Sequence, residues 1–502
     1  MNSKKTTLKK IILLFFIFCT SMLQAQNYPD IKRTYHWYFG DAAGIDFSSG
    51  VAVADTTGQM HVYSGCSVIS DTAGKLLFYT DGETVWNRNH QVMLNGTGLF
   101  GGTHPQQGSV IVPQPGNDSI YFIFHQKGVA TGDDPWINGL HYSIVNMKSD
   151  SGLGEVKQKN IELFRPNDEQ LVAVHHANKC DVWVMGHEYR TNIWHAFLVT
   201  ANGVNTTPVT TMIGAFPDTT INPWLPNGLK AQFSPDGKKL ASDVFWDTYN
   251  FPGLSDTLNL YDFDNSNGTL SNMISIPHSE IGTFSFSNDN TKLYIYEWHA
   301  VLADTIPWGA ALFFQYDITS NTQSGIIATK TRIMKKICPT CEYDFCDFQN
   351  TPDNRIFIAK TETDTVLIIH SPNNMGTACN LDTIGMSLNG RIAGTSLPNF
   401  IQSYFGKDTT GCYTTAINEI SKLPDEIKIY PNPFTTTTTI ILPDETKNAI
   451  LILYDLMGNI IWEMKSKTNT ITIPRDNLQE GIYILQINVN SNFYNYKLII
   501  TN

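Results

Sequence analysis

One short pattern recurs along this chain and limits what it can become. Residues 231–244 (AQFSPDGKKLASDV) read as two short strands folded over Ser234-Pro235-Asp236-Gly237. Pro235 presets φ at the second position of a type I turn. Asp236 bonds its own backbone, and Gly237 takes the left-handed conformation that follows. Five more stretches share the pattern: residues 68–79, 110–124, 172–184, 284–296 and 345–359. Each is an apolar strand, a turn rich in Pro, Asp, Asn or Gly, and a second apolar strand. Copies start roughly 40 to 65 residues apart, the spacing of propeller blades with inserted loops. A single sheet of this kind cannot bury both faces, so the copies must pack around an axis.

The expected fold is all-β, a seven-bladed propeller followed by a small β-sandwich, with six blades as the alternative count. Residues 36–40 (HWYFG) and 43–48 read as two strands of an incomplete first blade. Residues 396–405 (SLPNFIQSYF) are the unpartnered stretch at the other end of the repeat. Pairing the two as one composite blade would close the ring and remove an exposed edge. Composition agrees: aromatic residues make up 12% and charged residues only 16%, and sustained helical periodicity is absent.

The chain opens with Lys4, Lys5, Lys9 and Lys10, the apolar run 11–18, and small or polar residues to Ala25. That run is short for a bilayer span and reads as a signal peptide, residues 1–25. Its removal takes four lysines, leaving 30 basic against 46 acidic residues, a net charge of −16. Nucleic acid is an unsuitable partner for such a surface, and no later segment reads as membrane-spanning. Seven cysteines remain: Cys66, Cys180, Cys338, Cys341, Cys346, Cys379 and Cys412. Cys338-Pro339-Thr340-Cys341 lacks a fourth zinc ligand nearby and sits in an inter-strand loop. Disulfide or buried thiol is the expectation there, with no metal or other cofactor. Residues 262–268 (DFDNSNG) look like a calcium loop, but Asn267 stands where the sharp-turn Gly belongs, so a polar hairpin turn is expected.

The propeller is expected over 26–405, a linker over 406–424, and a separate unit over 425–502 with seven short strands. In that unit four fragments stand in order: Pro431-Asn432-Pro433, Asp455-Leu456-Met457-Gly458-Asn459-Ile460, Gly481-Ile482-Tyr483-Ile484, and Lys497-Leu498-Ile499-Ile500. Together they resemble the C-terminal sorting domain of the type IX (Por) secretion system. The resemblance implies passage through the inner membrane by the signal peptide. Engagement of the type IX machinery by this domain would follow, with a mature body secreted or held at the cell surface. Residues 37–47 and 65–98 are similar to a group of exported propeller proteins carrying the same tail; that resemblance implies no reaction.

Catalytic signatures are absent. His187-Glu188 is followed by Thr191 where an HExxH motif needs its second His, and no GxSxG elbow occurs. What remains is the placement of inserted loops. Residues 128–138, 246–255 and 298–309 fall between second and third strands of a blade, and 214–228 and 332–343 fall between blades. All five connections therefore share one face. It would gather Trp136, Trp224, Trp246, Trp298 and Trp308 with Asp133, Asp134, His187 and His299, a set suited to a glycan or a protein hot spot. Packing of the rings onto the disc is the alternative use. His175-His176 falls at a turn on the opposite face. The expected function is non-enzymatic binding of a glycan or protein outside the cell. The alternatives are a polysaccharide hydrolase with carboxylates converging at the axis, or a structural adhesin component.

Overall fold

The structure is a computed structural model. It describes residues 30–102, 105–127, 139–214, 230–244, 257–278, 281–297, 310–337, 345–406, 427–442, 449–455, 460–489 and 492–502. The chain divides into two compact units between Tyr413 and Thr414.

All six hairpins form where the turn chemistry requires them. Ala231–Phe233 pairs antiparallel with Lys239–Val244. The turn between them is closed by Gly237 N–H donating to Ser234 O at 2.8 Å, with Gly237 at φ +68°. Ser234 Oγ donates to Asp236 Oδ1 at 2.6 Å, and Ser287 repeats the bond to Asp289 at 2.7 Å. A third and fourth strand follow each hairpin. The described strands of the first unit thus fall into seven consecutive antiparallel sets. The second and third sets are joined along their outer edges by one parallel pair, Leu94 with Glu155.

The sets close on themselves. One apolar cluster spans the second, third and fourth sets, and others link fourth to fifth, fifth to sixth and sixth to seventh. The last joins the seventh set to the first and second through Phe357, Val366, Trp37, Ile45, Val68 and Tyr79. Trp37 is fully buried, 6.0 Å from the Phe357 ring. Each two-sided sheet buries both its faces only in such a circle, so the first unit is a β-propeller.

The first set is completed differently from the expectation. Its third strand is Val53–Ala54, paired with Ala43–Asp46. Residues 396–405 add no strand to it. They run along the innermost strands of several sets instead, touching Ser67 at Asn399 and Ala173 at Ile401 through isolated parallel bridges. The reason is local chemistry: Pro398 carries no N–H for a ladder, and Gln402–Phe405 coils into a 3₁₀ turn. Leu397, Phe400, Ile401 and Phe405 point into the clusters of neighbouring sets.

The second unit is a sandwich of two sheets over one core. Lys428–Tyr430, Thr437–Ile441 and Thr470–Pro474 form the smaller. Ile460–Ser466, Ala449–Tyr454, Gly481–Val489 and Asn492–Ile500 form the larger. Leu451, Leu453, Leu485 and Ile487 are fully buried between them, as the period-two pattern requires. Among the described residues no helix is long and apolar enough to cross a membrane.

Candidate functional site

Of the nine residues expected on the loop face, His187 is described. Trp136, Trp224, Trp246, Trp298, Trp308, Asp133, Asp134 and His299 lie outside the described residues. His187 is buried, its Nδ1 3.4 Å from Asp168 Oδ2 and its ring 4.6 Å from that of Trp194. His175 and His176 hold separate partners: His175 N and Nδ1 meet Ser403 Oγ at 2.9 and 2.7 Å, whereas His176 Nε2 meets Ser266 O at 3.0 Å. In residues 262–268 the Asp264 carboxylate accepts from Ser266 N and Asn267 Nδ2, and Asp262 pairs with Lys239 at 2.9 Å. Those bonds are what a hairpin turn needs.

Cys66 and Cys379 are free and buried, and Cys180 is disulfide-bonded. Burial pushes the Cys66 thiol well up, away from reactivity. Among the described residues no three His, Cys, Asp or Glu side chains gather to hold a metal ion.

The polar chemistry of the first unit is concentrated at the axis. A cavity of about 20 Å³ for the centres of water-sized spheres lies there, lined by Gln106, Gln107, Lys230, Gln232, Asp347, Gln349, Pro398, Asn399 and Gln402. That is room for about one ordered water. Lys230 Nζ bonds Asp347 Oδ1 at 2.5 Å, Phe348 O at 3.0 Å and Thr283 Oγ1 at 3.2 Å. The other Asp347 oxygen accepts from Leu397 N at 2.9 Å. Gln107 reaches across to the fifth set and forks onto both backbone groups of Ala231, each at 2.8 Å. Gln170 donates to Lys230 O and Ser242 Oγ, both at 3.0 Å. Both Asp347 oxygens are thus engaged, and the described lining offers no second carboxylate for paired acid–base chemistry.

Sequence reasoning missed this axial set. A signal for it exists. Gln232, Ser285 and Gln349 each stand two residues before the turn residue (Ser234, Ser287, Thr351) in an otherwise apolar inner strand, and all three are buried.

In the second unit the fragments singled out from the sequence meet. Asn432 Oδ1 accepts from Ile499 N at 2.8 Å, and its Nδ2 donates to Lys497 O at 2.6 Å. Phe434 N donates to Ile499 O at 2.9 Å. The Pro431-Asn432-Pro433 turn is therefore clamped to the last strand. Gly481 pairs with Ile500 and Tyr483 with Leu498. Asp455 directly follows the strand Ala449–Tyr454, and Gly458 lies outside the described residues.

The fold is thus that of a β-propeller protein with a small C-terminal β-sandwich unit. Residues 428–501 match the family model described as the secretion system C-terminal sorting domain. The second unit is accordingly a sorting domain of the type IX (Por) system, and the protein is secreted or delivered to the cell surface.

The chain is 31% identical over 88 residues to an endo-acting ulvan lyase of Formosa agariphila, and the match spans 17% of each chain. It is also similar to two solved structures. The Dos1 propeller shows 10% identity and a TM-score of 0.37, with 72% of this chain and 80% of that one covered. The β-propeller domain of the trilobed protease from Pyrococcus furiosus shows 8% identity and a TM-score of 0.28, with 79% and 96% covered.

Proposed function

We propose that this is a non-enzymatic binding protein, exported through its signal peptide and sorting domain, whose propeller loop face takes a glycan or a protein at the cell exterior. The observation that carries the reading is where the strands end. The connections over 126–139, 245–256 and 298–309 each leave a second strand and enter a third, and 213–230 and 338–344 each leave one set for the next. Antiparallel order puts all five at the same end of the sheets. At the other end the first-to-second-strand turns are short, such as 114–119, 234–238 and 287–291, and the longer connections 318–330 and 370–380 carry no Trp. Trp136, Trp224, Trp246, Trp298 and Trp308 belong to the long connections, and aromatic anchors dominate both glycan stacking and protein hot spots. Residues 396–402 run through the axis and leave a cavity of about one water there, which supports the loop face as the place for a larger ligand.

The test is glycan-array and pull-down binding by the mature full chain and by a variant carrying Trp136→Ala, Trp246→Ala and Trp298→Ala. Loss of binding with an unchanged melting temperature supports the reading. Equal binding by parent and variant overturns the face assignment. Turnover of a polysaccharide panel would replace binding with hydrolysis.

A further inference from the structure

The axial segment is held as a bound peptide is held. Four backbone groups between Thr395 and Asn399 are read by the ring. Thr395 N donates to Tyr63 O at 2.6 Å and Leu397 N to Asp347 at 2.9 Å. Pro398 O accepts from Gln349 Nε2 at 3.0 Å, and Asn399 N donates to Cys66 O at 2.8 Å. Those partners come from the seventh set and from the chain leading into the second. The Asn399 side chain adds a fourth-set contact, donating to Leu171 O at 2.9 Å. Leu397, Phe400 and Ile401 are at most 2% exposed. Entry to the axis leaves no slack: a Cβ on Gly394 would lie 2.3 Å from Tyr63 O. Every residue from Thr395 to Gln402 is buried, and main-chain bonds joined to buried side chains are how an extended peptide is recognised.

We infer that the axis is a peptide-binding site which the chain fills in cis, and that residues 395–405 are the ligand that completes the ring. The inference is independent of what the loop face binds. Its consequence is an order of events. The segment comes last in the propeller and shortly before the sorting domain at 428–501. A chain that has not yet delivered residue 405 lacks the piece that bonds sets from opposite sides of the circle, so the closed body forms only when the address is about to follow.

The test uses the full chain with two protease sites, one in the exposed turn at Asn389-Gly390 and one between Thr409 and Thr410. After both cuts the excised peptide should co-elute with the body in native buffer. Unfolded and separated from it, the body should lose most of its refolding yield and melting temperature. Synthetic peptide of residues 390–409 should restore both, and the same peptide with Leu397→Asp and Phe400→Asp should not. Departure of the peptide with the body unfolding would also support the inference. A body that melts unchanged after losing the peptide, or refolds equally well without it, would overturn it.

Discussion

Replacing Lys230 with Met asks whether the axial network is one coupled unit. The Lys230 side chain is 6% exposed and that of Asp347 14%, so neither charge is solvated as a surface ion would be. Lys230→Met leaves the Asp347 carboxylate with the Leu397 N–H alone and removes the donor to Phe348 O. Breaking a buried pair from one side costs about 3–5 kcal/mol, and residual exposure of Asp347 places this case near the lower figure. Asp347→Leu should cost a similar amount, because it strands the ammonium and frees the Leu397 N–H. The double variant removes both members of the Lys230–Asp347 pair together. What it retains is the penalty of backbone groups without partners, about 1–3 kcal/mol each. It should therefore fall short of the summed single losses by about 2 kcal/mol.

Amide hydrogen exchange read by mass spectrometry gives these energies within the full chain, with the C-terminal unit as an internal reference. Protection should drop in the inner strands of the fifth, sixth and seventh sets together. A loss below about 1 kcal/mol for Lys230→Met, typical of an exposed pair, would refute the reasoning. Strict additivity of the two single losses would refute it as well.

Acid should destabilise the ring through His125. Burial, then the neighbouring His141, brings its pKa from 6.5 down to about 3. The unfolded chain therefore takes up a proton that the folded one refuses. The contribution is complete above pH 6.5 and is lost as pH falls toward 3, by up to a few kcal/mol; His125→Gln should flatten that slope in urea titrations between pH 4 and 7, and identical slopes would count against it. In the sorting domain, Asn432→Ala removes both bonds to the last strand, which should cost the second unit about 1–2 kcal/mol and raise the fraction of protein retained in the periplasm. Full export with unchanged exchange of residues 497–500 would contradict that.

Hairpins were legible because their information is local. Ser234-Pro235-Asp236-Gly237 sets its own backbone, and the same logic carries over to Ser287 and Thr351. The sandwich was legible for a related reason, since Leu485 and Ile487 alternate with solvent-facing neighbours along one strand. The axial segment was harder. Residues 396–405 carry Leu397, Phe400, Ile401 and Phe405, a pattern that reads as a strand and says nothing about its partner. Only Pro398 and the amides of Asn399 and Gln402 distinguish it, and their meaning depends on Gln349, Asp347 and Cys66, distant in sequence. Val53–Ala54, the third strand of the first set, is two residues long and leaves no periodic trace. The loop face was read from strand counting alone, and Trp136, Trp246 and Trp298 acquire meaning only from the ends of the strands beside them.

The polar character of the axis follows from what closing a ring requires. An apolar channel would accept any extended apolar stretch in several registers, because burial is non-directional. Forked amides and a carboxylate tied to a lysine accept one register, in which each backbone group finds its partner, and any shift leaves buried donors unpaired. Lys230 and Asp347 add little net stability by being buried, but they fix where Leu397 must sit. Trp37, 5.9 Å from Phe400, then packs against a segment whose position is already decided. Register is thus selected at the axis and stability supplied by the apolar clusters around it.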